Sequence, residues 1–576
     1  MRGGKVQTGK VLVLGDDTRS FLAAVRSLGR AGLTVHAAPA NFRSPSLASR
    51  YIAAIHDIPP WMGDGSAWLA AMRTLLGAER YDLVIPCNET TLLPLARHRA
   101  ELAPLARLAI PEDAAIDALF DKQATRALAE RLGIPIAPGR ALRAGENAED
   151  VIAELGAPVL VKPRHSYTLE RLATRGKVQV AGEARQLAAI LARAKPGATL
   201  LEGFFPGSGL GVSVLASRGR VLQAFEHHRV HEEAGSSYYR VSAPLAPDLL
   251  AACGAIMAAL DYTGLAMFEF RRDAAGRFVL LEVNARPWGS MPLPVALGVD
   301  FPYRWYRLLV AGEETGSVSY RTGVYGRNLM PDLRSLRATL QDPGLGTAVR
   351  ARLAATWALR LFRPLAGREV HDVMVRDDPR PALAEVAEVG REVAVRLGRL
   401  VPGSEQRHAR RLVATLRQAG GAHQPGGARI VFVCQGNICR SPFAASLLRS
   451  LLDRAVPAGG RVEVGSAGMM PAPDRPSPPE AIAEAAARGI DLASHRSAWL
   501  SRAEADAATL LVVFDEINRA ALLDRHPGVA AKVLGLGNLA GIGAIADPWG
   551  RGPEAYRRAY DAITRAVDAL AAQLQR

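Results

Sequence analysis

The chain has 576 residues, 49% of them hydrophobic, which is too long for one domain and apolar enough for three or four packed cores. Its 71 Lys and Arg outnumber 56 Asp and Glu, for a formal charge of +15, while four scattered cysteines exclude a disulfide framework and suit a reducing compartment. No run of ~20 uncharged apolar residues is present, which excludes a spanning helix. Met1 to Lys10 is polar and glycine-rich, without the apolar core of a secretory leader, so a cytoplasmic location is expected.

Val11-Leu12-Val13-Leu14 is predicted as a buried parallel strand ending in the turn Gly15-Asp16-Asp17. Ser20 to Ala31 follows as a helix, Thr34 to Ala37 as a second strand, and Asp82 to Pro86 repeats the pattern. These are βα units of a doubly wound sheet. A lone Gly15 turn is a weak nucleotide signal and reads as structural. Cys87 and Cys253, with no metal-ligand company nearby, read as buried thiols.

Lys122 lies in a predicted helix, and Pro158-Val159-Leu160-Val161-Lys162-Pro163 is a strand that ends in a lysine. A buried ammonium is costly unless it meets an anion. Leu200 to Phe204 is another strand, carrying Glu202. Ala266 to Phe270 and Phe278 to Asn284 read as a hairpin turning at Asp273-Ala274-Ala275-Gly276. Residues two apart on a strand share a face, so Glu282 and Asn284 point together, with Glu269 on the neighbouring strand. Two carboxylates and an amide oxygen suit Mg²⁺, which prefers hard oxygen ligands plus phosphates. Solvent-facing hairpin residues would show the same types, and these three taken singly leave that reading ahead.

The order breaks the tie. Lysine, strand-Lys-Pro, Glu-Gly-Phe, then Glu…Glu-x-Asn-x-Arg, clearest in Leu281-Glu282-Val283-Asn284-Ala285-Arg286-Pro287-Trp288-Gly289-Ser290, resembles the ATP-grasp superfamily in its carbamoyl-phosphate-synthase-like and carboxylate–amine ligase branches, over about residues 8–315. The resemblance implies a Rossmann-like pre-ATP-grasp domain (1–113) and an α+β ATP-grasp domain (114–315). It also implies ATP and Mg²⁺ as cofactors. Lys122 and Lys162 would sit on the phosphates, Glu202 at the adenine hinge, Arg286 at the transferred phosphate, and Glu269, Glu282 and Asn284 on the metal. Arg229 and Gly235-Ser236-Ser237 would line the acceptor side. The implied reaction phosphorylates a small carboxylate and lets an amine attack the acyl phosphate. The loop Arg164-His165-Ser166-Tyr167-Thr168 lacks the glycine-rich stretch that many relatives fold over the phosphates.

Residues 316–427 form a basic, mostly helical connecting region, with stretches such as Arg350-Ala351-Arg352 and Arg407-His408-Ala409-Arg410-Arg411. Without interleaved aromatic residues these read as solvated helix faces rather than a nucleic-acid or membrane surface, so no nucleic-acid partner is expected. Gly420 to Gly427 reads as a flexible tether.

In the last quarter, Ile430-Val431-Phe432-Val433 is a buried strand running into Cys434-Gln435-Gly436-Asn437-Ile438-Cys439-Arg440, after which Ser441-Pro442 opens an apolar helix. The loop presents successive backbone N–H groups to one point, the helix N-terminus adds positive potential, and Arg440 supplies a planar fork for two phosphate oxygens. That field favours a nucleophilic Cys434 thiolate, and Ser441 is placed to hydrogen-bond the sulfur. An arginine six after some cysteine is cheap by chance; the strand–loop–helix context and the Gly436-Asn437 pair, which tolerates positive φ, raise its weight. Asp547 in Asp547-Pro548-Trp549-Gly550 is the best proton donor for a leaving tyrosinate, although Asp-Pro by itself is an ordinary turn starter.

Val433 to Pro442 closely resembles the signature of low-molecular-weight protein tyrosine phosphatases. Further matches follow in order at Ser466-Ala467-Gly468, Gly489 to Leu492, His495-Arg496-Ser497, Asp515 to Asn518 and Asp547-Pro548. Over residues 428–576 the resemblance implies a flavodoxin-like four-stranded parallel sheet with flanking helices and no cofactor. Cys434 would be the nucleophile, Arg440 the phosphate binder and Asp547 the general acid, with Gln435, Gly436, Asn437, Ile438, Cys439 and Ser441 completing the phosphate loop. Asn437 and Ser441 would organise that loop, and Cys439 matches a cysteine that forms a reversible disulfide with the nucleophile in relatives carrying it. The implied partner is a phosphotyrosine protein, a bacterial tyrosine kinase among the candidates. Two departures stand out: Ala498-Trp499 where relatives often carry Arg, and Trp549 where they often place Tyr. Two other readings stay open. One is an arsenate reductase, against which the lack of any cysteine after Cys439 weighs. The other is an ATP-grasp half that senses nucleotide without turning over.

Overall fold

The computed structural model describes residues 9–172, 175–233, 236–342, 344–399, 404–419, 428–455, 462–470 and 474–575. The Gly420–Gly427 tether and Gly235 lie outside them. The chain folds as two compact units, one built mainly from residues up to 384, the other mainly from residues 385 onward.

The first unit opens with a five-stranded parallel sheet of β1 (Lys10–Leu14), β2 (Thr34–Ala38), β3 (Ile52–Ile55), β4 (Leu83–Pro86) and β5 (Arg107–Leu108), ordered β3-β2-β1-β4-β5. Val11 to Leu14 are all buried, as an unbroken apolar run requires when helices cover both sheet faces. The Ser20–Arg30 helix starts where Asp17 accepts the backbone N–H groups of Arg19 and Ser20.

A small antiparallel sheet follows, ordered β6-β9-β7-β8, from β6 (Gly139–Ala141), β7 (Val159–Pro163), β8 (Gln179–Ala181) and β9 (Thr199–Gly203). The larger seven-stranded sheet runs β14-β13-β10-β11-β12-β15-β16. Its strands are β10 (Ser208–Ser217), β11 (Arg220–Glu233), β12 (Ser236–Ala243), β13 (Gly264–Arg272), β14 (Phe278–Asn284), β15 (Tyr325–Arg327) and β16 (Glu369–His371). The β13–β14 hairpin turns at Asp273 to Gly276, where Gly276 takes φ +83°. A bulge between the Glu269–Glu282 and Phe270–Leu280 pairs adds one residue to β14.

The region read as a helical connection also supplies β15 and β16. Three-residue strands leave too short a pattern to read. They are anchored instead by fully buried ion pairs, Arg327 with Glu369 on these strands and Arg240 with Asp372 beside them. Such pairs tolerate burial only because each charge meets its opposite.

The second unit carries a four-stranded parallel sheet, ordered β18-β17-β19-β20, of β17 (Ala428–Cys434), β18 (Val462–Gly468), β19 (Leu510–Val513) and β20 (Val533–Gly535). The Arg440–Ala455 and Pro553–Leu574 helices pack together through Phe443 and Tyr560, whose rings stack at 4.0 Å. The helix Ser404–Ala419, expected as part of the connection, joins this core: Ala409, Val413 and Leu416 are buried, while Arg407, Arg410 and Arg411 stay in water. The charges hid an apolar stripe at positions 409, 413 and 416, spaced as one helix face.

Candidate functional sites

In the second unit, β17 delivers Cys434 to the C-terminal edge of the sheet and the Arg440–Ala455 helix begins six residues later. Between them the loop turns at Asn437, φ +51°, a left-handed conformation that asparagine tolerates better than most residues. The turn aims Asn437 N–H at the sulfur, 3.2 Å away, and Ser441 Oγ stands 3.0 Å from it. The Asn437 side chain is buried and spans the site: its Nδ2 donates to Ser441 Oγ (2.9 Å) and Ser466 Oγ (3.0 Å), and its Oδ1 accepts from Ala498 N (2.8 Å). Its carbonyl accepts from His495 Nε2 at 2.7 Å, and burial lowers the pKa of that histidine, keeping the ring neutral.

Arg440 is 1% exposed, and its fork is aimed by carboxylates. Nη1 meets Asp515 Oδ2 at 2.5 Å and the Ile545 carbonyl at 3.0 Å, while Nη2 meets Asp547 Oδ2 at 2.6 Å. Asp547 is half-buried beside exposed Trp549, whose N–H donates back to Asp547 Oδ1. The sequence-predicted nucleophile, arginine and acid therefore share one site. Cys439 is buried in the same loop: its sulfur lies 3.5 Å from Tyr556 Oη, and burial pushes its thiol up to about 12. Three supports went unassigned in the sequence: Asp515 on Arg440, His495 on the loop carbonyl and Ser466 on Asn437. All lie in stretches quoted for the resemblance, but only the fold shows what they touch.

In the first unit, Glu202 on β9 is buried with its oxygens held by Lys162 Nζ (2.5 Å) and Arg126 Nη1 (3.1 Å). Leu160 opposes Glu202 in the β7–β9 register, so Lys162, two residues on, shares its face. The ammonium thus meets the anion that its burial demands. Asp121 caps the Lys122–Arg131 helix, and Lys122 Nζ donates to Ser166 Oγ (2.7 Å) and lies 3.6 Å from Glu282. Arg126 was missed, although it follows Lys122 by four positions on one helix face.

On the hairpin, Glu269 opposes Glu282 and Met267 opposes Asn284, which puts the three polar groups on one face as expected. Asn284 Nδ2 donates to Glu269 Oε1 (3.1 Å), and Arg286 Nη2 donates to Asn284 Oδ1 (3.0 Å) and Glu89 Oε1 (2.8 Å). Burial would raise the Glu89 carboxyl, but Arg286 holds it below its ordinary value. Arg229 Nη2 pairs with Glu269 Oε2 at 2.7 Å. Among the described residues no group of three His, Cys, Asp or Glu side chains could hold a metal, so a cation here would depend on the two carboxylates and the amide oxygen. That hard-oxygen set fits Mg²⁺.

The second-unit geometry defines a thiolate enclosed by loop amides, hydroxyl and guanidinium on a doubly wound sheet. Residues 429–576 match the family described as low molecular weight phosphotyrosine protein phosphatase, and residues 195–328 match that described as ATP-grasp in the biosynthetic pathway with Ter operon. Among curated relatives, the probable low molecular weight protein-tyrosine-phosphatase EpsP of Ralstonia nicotianae is 36% identical over 140 residues, 24% of this chain and 91% of that protein. The protein-arginine-phosphatase of Geobacillus stearothermophilus is 36% identical over 149 residues, 26% of this chain and 96% of that one. A D-alanine–D-alanine ligase of Alkalilimnicola ehrlichii is 27% identical over 213 residues, 33% of this chain and 65% of the ligase. Through its C-terminal domain the chain belongs to the low-molecular-weight phosphotyrosine phosphatase family, fused behind an ATP-grasp module. No helix of the described residues is long and apolar enough to cross a membrane.

Proposed function

We propose that the C-terminal domain hydrolyses phosphotyrosine in a protein, through a phosphocysteine on Cys434, and that the front of the chain joins a small carboxylate to an amine at the expense of ATP. The observation that carries the first half is the Cys434 sulfur, bonded by Asn437 N–H and Ser441 Oγ, with the Arg440 fork in the same loop. The cradle's N–H groups and the guanidinium bind the phosphate oxygens, and the sulfur attacks phosphorus in line with the tyrosyl oxygen. The P–O bond breaks as the S–P bond forms, and Asp547 gives its proton to the departing tyrosinate. Water then attacks phosphorus, Asp547 takes a proton from it, and the sulfur leaves as thiolate. Asp515 acts through Arg440, holding the Nη1 side of its fork, while a bound phosphate would take the Nη2 side that faces Asp547 in this structure and release that carboxyl to the leaving oxygen.

Trp549 supports an aryl substrate: it is exposed beside Asp547 and offers an apolar wall to a phenyl ring. The equal identity to the arginine phosphatase makes phosphoarginine the competing substrate. Full-length protein with matched phosphotyrosine and phosphoarginine peptides decides it: a higher kcat/KM for phosphotyrosine supports this reading, and the reverse overturns it.

For the front, Lys122 and Lys162 would hold nucleotide phosphates, Glu202 with Arg126 would set the adenine edge, and Glu269, Glu282 and Asn284 would bind Mg²⁺. Bound Mg·ATP supplies the γ-phosphoryl group that activates the carboxylate. Arg286, which pairs with Glu89, would bind that group, and Lys122, 3.6 Å from Glu282, would help to neutralise it. The support is the continuity of these contacts across β7, β9, β13 and β14. Acceptor-dependent ADP release tests it; Mg·ATP binding with no such release under any acid and amine pair favours a sensor. The same reading assigns residues 1–113, 114–315 and 428–576 to the three domains, with Ser404–Ala419 added to the last. A cytoplasmic phosphoprotein, such as a tyrosine kinase, is the partner this reading requires.

A further inference from the structure

The arginine runs that read as solvated helix faces do stand in water, but apolar side chains stand there with them. From Leu333 to Arg368 the chain carries seven arginines, no lysine and a single acid, Asp342. The Leu329–Leu340 and Thr347–Arg360 helices of this stretch are clamped together by Trp357 Nε1, which donates to Asp332 Oδ2 at 2.7 Å. Asp332 is buried and lies 3.5 Å from Arg327 Nη1, so the clamp also ties the pair to β15. Beyond the clamp the second helix packs little: none of its 14 residues is buried.

Its apolar residues therefore meet solvent. Val349 and Leu353, four apart and so neighbours on one helix face, are both exposed, as is Leu333 on the first helix. Exposure peaks where the second helix runs into the short turn Arg363–Ala366. There Leu359, Phe362 and Leu365 are 69%, 64% and 84% exposed, and Leu361 is 39% exposed. Residues three apart are neighbours on such a winding, so Leu359, Phe362 and Leu365 make one ridge. Single exposed apolar residues are ordinary, whereas a group of four within seven positions marks an interaction surface.

The cations beside this ridge lack carboxylate partners. Among the described residues Arg321, Arg352, Arg360, Arg363 and Arg368 form no ion pair. Arg363 lies over the Tyr325 ring at 4.2 Å and donates to Tyr239 Oη, and Arg360 donates to His231 Nε2 at 3.1 Å. An open hollow of about 680 Å³ adjoins the turn, lined by Arg321, Arg363 and Arg368 with Tyr325, and no acid contributes to its lining. Guanidinium forks with unused donors are suited to phosphate oxygens.

We propose that this ridge and hollow dock the protein on the surface of an anionic lipid bilayer. Leu359, Phe362 and Leu365 enter the boundary between headgroups and acyl chains, and Arg321, Arg363 and Arg368 meet headgroup phosphates. A second copy of the chain would bring the same arginines against these and be repelled. A nucleic acid would satisfy the arginines and leave the leucines in water. Side chains this exposed form a protrusion, and a bilayer accepts one without a shape-matched recess while supplying an apolar layer beneath an anionic one.

Co-sedimentation of the full-length protein with vesicles tests it, using equal parts phosphatidylglycerol and phosphatidylcholine against phosphatidylcholine alone. The anionic vesicles should bind about tenfold or more tighter, and the affinity should fall as salt rises. Leu359→Ser, Phe362→Ser and Leu365→Ser in one variant should cut that binding about tenfold or more. Far-UV circular dichroism should not change, since these side chains already lie in water. Arg321→Gln with Arg368→Gln, both exposed, should weaken it by about tenfold as well. No binding to either vesicle, equal binding to both, or indifference to the apolar variant would overturn the inference. Dimerisation that the apolar variant abolishes would give the surface to a second copy, and tighter binding of a duplex oligonucleotide than of vesicles would give it to nucleic acid. Either result would also overturn docking on lipid.

Discussion

The two candidate sites of this chain are built in opposite ways. The phosphate loop of the second unit is a single stretch from Cys434 to Ser441, which carries the sulfur, the guanidinium and the hydroxyl within eight consecutive residues. The site in the first unit gathers side chains from the Lys122–Arg131 helix, β7, β9 and the β13–β14 hairpin, and its cations already pair with its acids: Lys162 with Glu202, Lys122 near Glu282, Arg286 with Glu89. A contiguous loop fails when one atom is removed. A distributed network shares its charges and yields by degrees, because loss of one partner leaves a neighbour to take up the charge. Site-directed changes should reproduce that contrast.

Cys434→Ser should have the largest effect, lowering kcat for an aryl phosphate by at least ~10³-fold, on the scale seen when other covalent enzymes lose their nucleophile. Far-UV circular dichroism should remain unchanged. Asp547→Asn comes next, with kcat reduced by about 10²–10⁴-fold for phosphotyrosine and far less for an ester whose leaving group needs no proton, such as p-nitrophenyl phosphate. Equal losses on both substrates would remove Asp547 from the acid role. Lys162→Met in the first unit should be smaller, about tenfold in Mg·ATP affinity by titration, since Arg126 still holds Glu202.

Two predictions concern stability. Leu416→Ala removes a buried side chain from the helix that joins the phosphatase core, and chemical denaturation of that unit should show a loss of about 2–5 kcal/mol. If the helix were a mere connection, the change would be close to zero. Cys439 supplies the pH dependence. Its folded thiol is pushed up to about 12 from an ordinary value of 9, so its contribution is complete below pH 9 and is lost as pH rises from 9 towards 12, where the unfolded thiol ionises first. Cys439→Ala should flatten the alkaline fall of the unfolding midpoint; an unchanged profile would show that this thiol is not perturbed by burial.

The same contrast explains what could be read from the residues alone. Cys434, Arg440 and Ser441 were legible because strand, loop and helix follow one another and the chemistry needs that spacing. Glu269, Glu282 and Asn284 were legible as a face, since period two on a hairpin is local. Asp515, Arg126 and Glu89 were not assigned, because each acts through a partner 75 to 197 positions away, a pairing fixed by tertiary packing. β15 and β16 escaped because three residues carry no period. In the helix Ser404–Ala419 the arginines outweigh a narrow apolar stripe, so the sequence alone reads as linker, and only the phosphatase core shows what that stripe covers.

Rapid quenching of the wild-type protein with an aryl phosphate, followed by acid denaturation and peptide mass spectrometry, is the most direct test. Phosphate attached to the peptide at Cys434, formed and lost at rates that account for turnover, is the result expected. Turnover with no phosphate on that cysteine, or with the label on another side chain, would contradict the account.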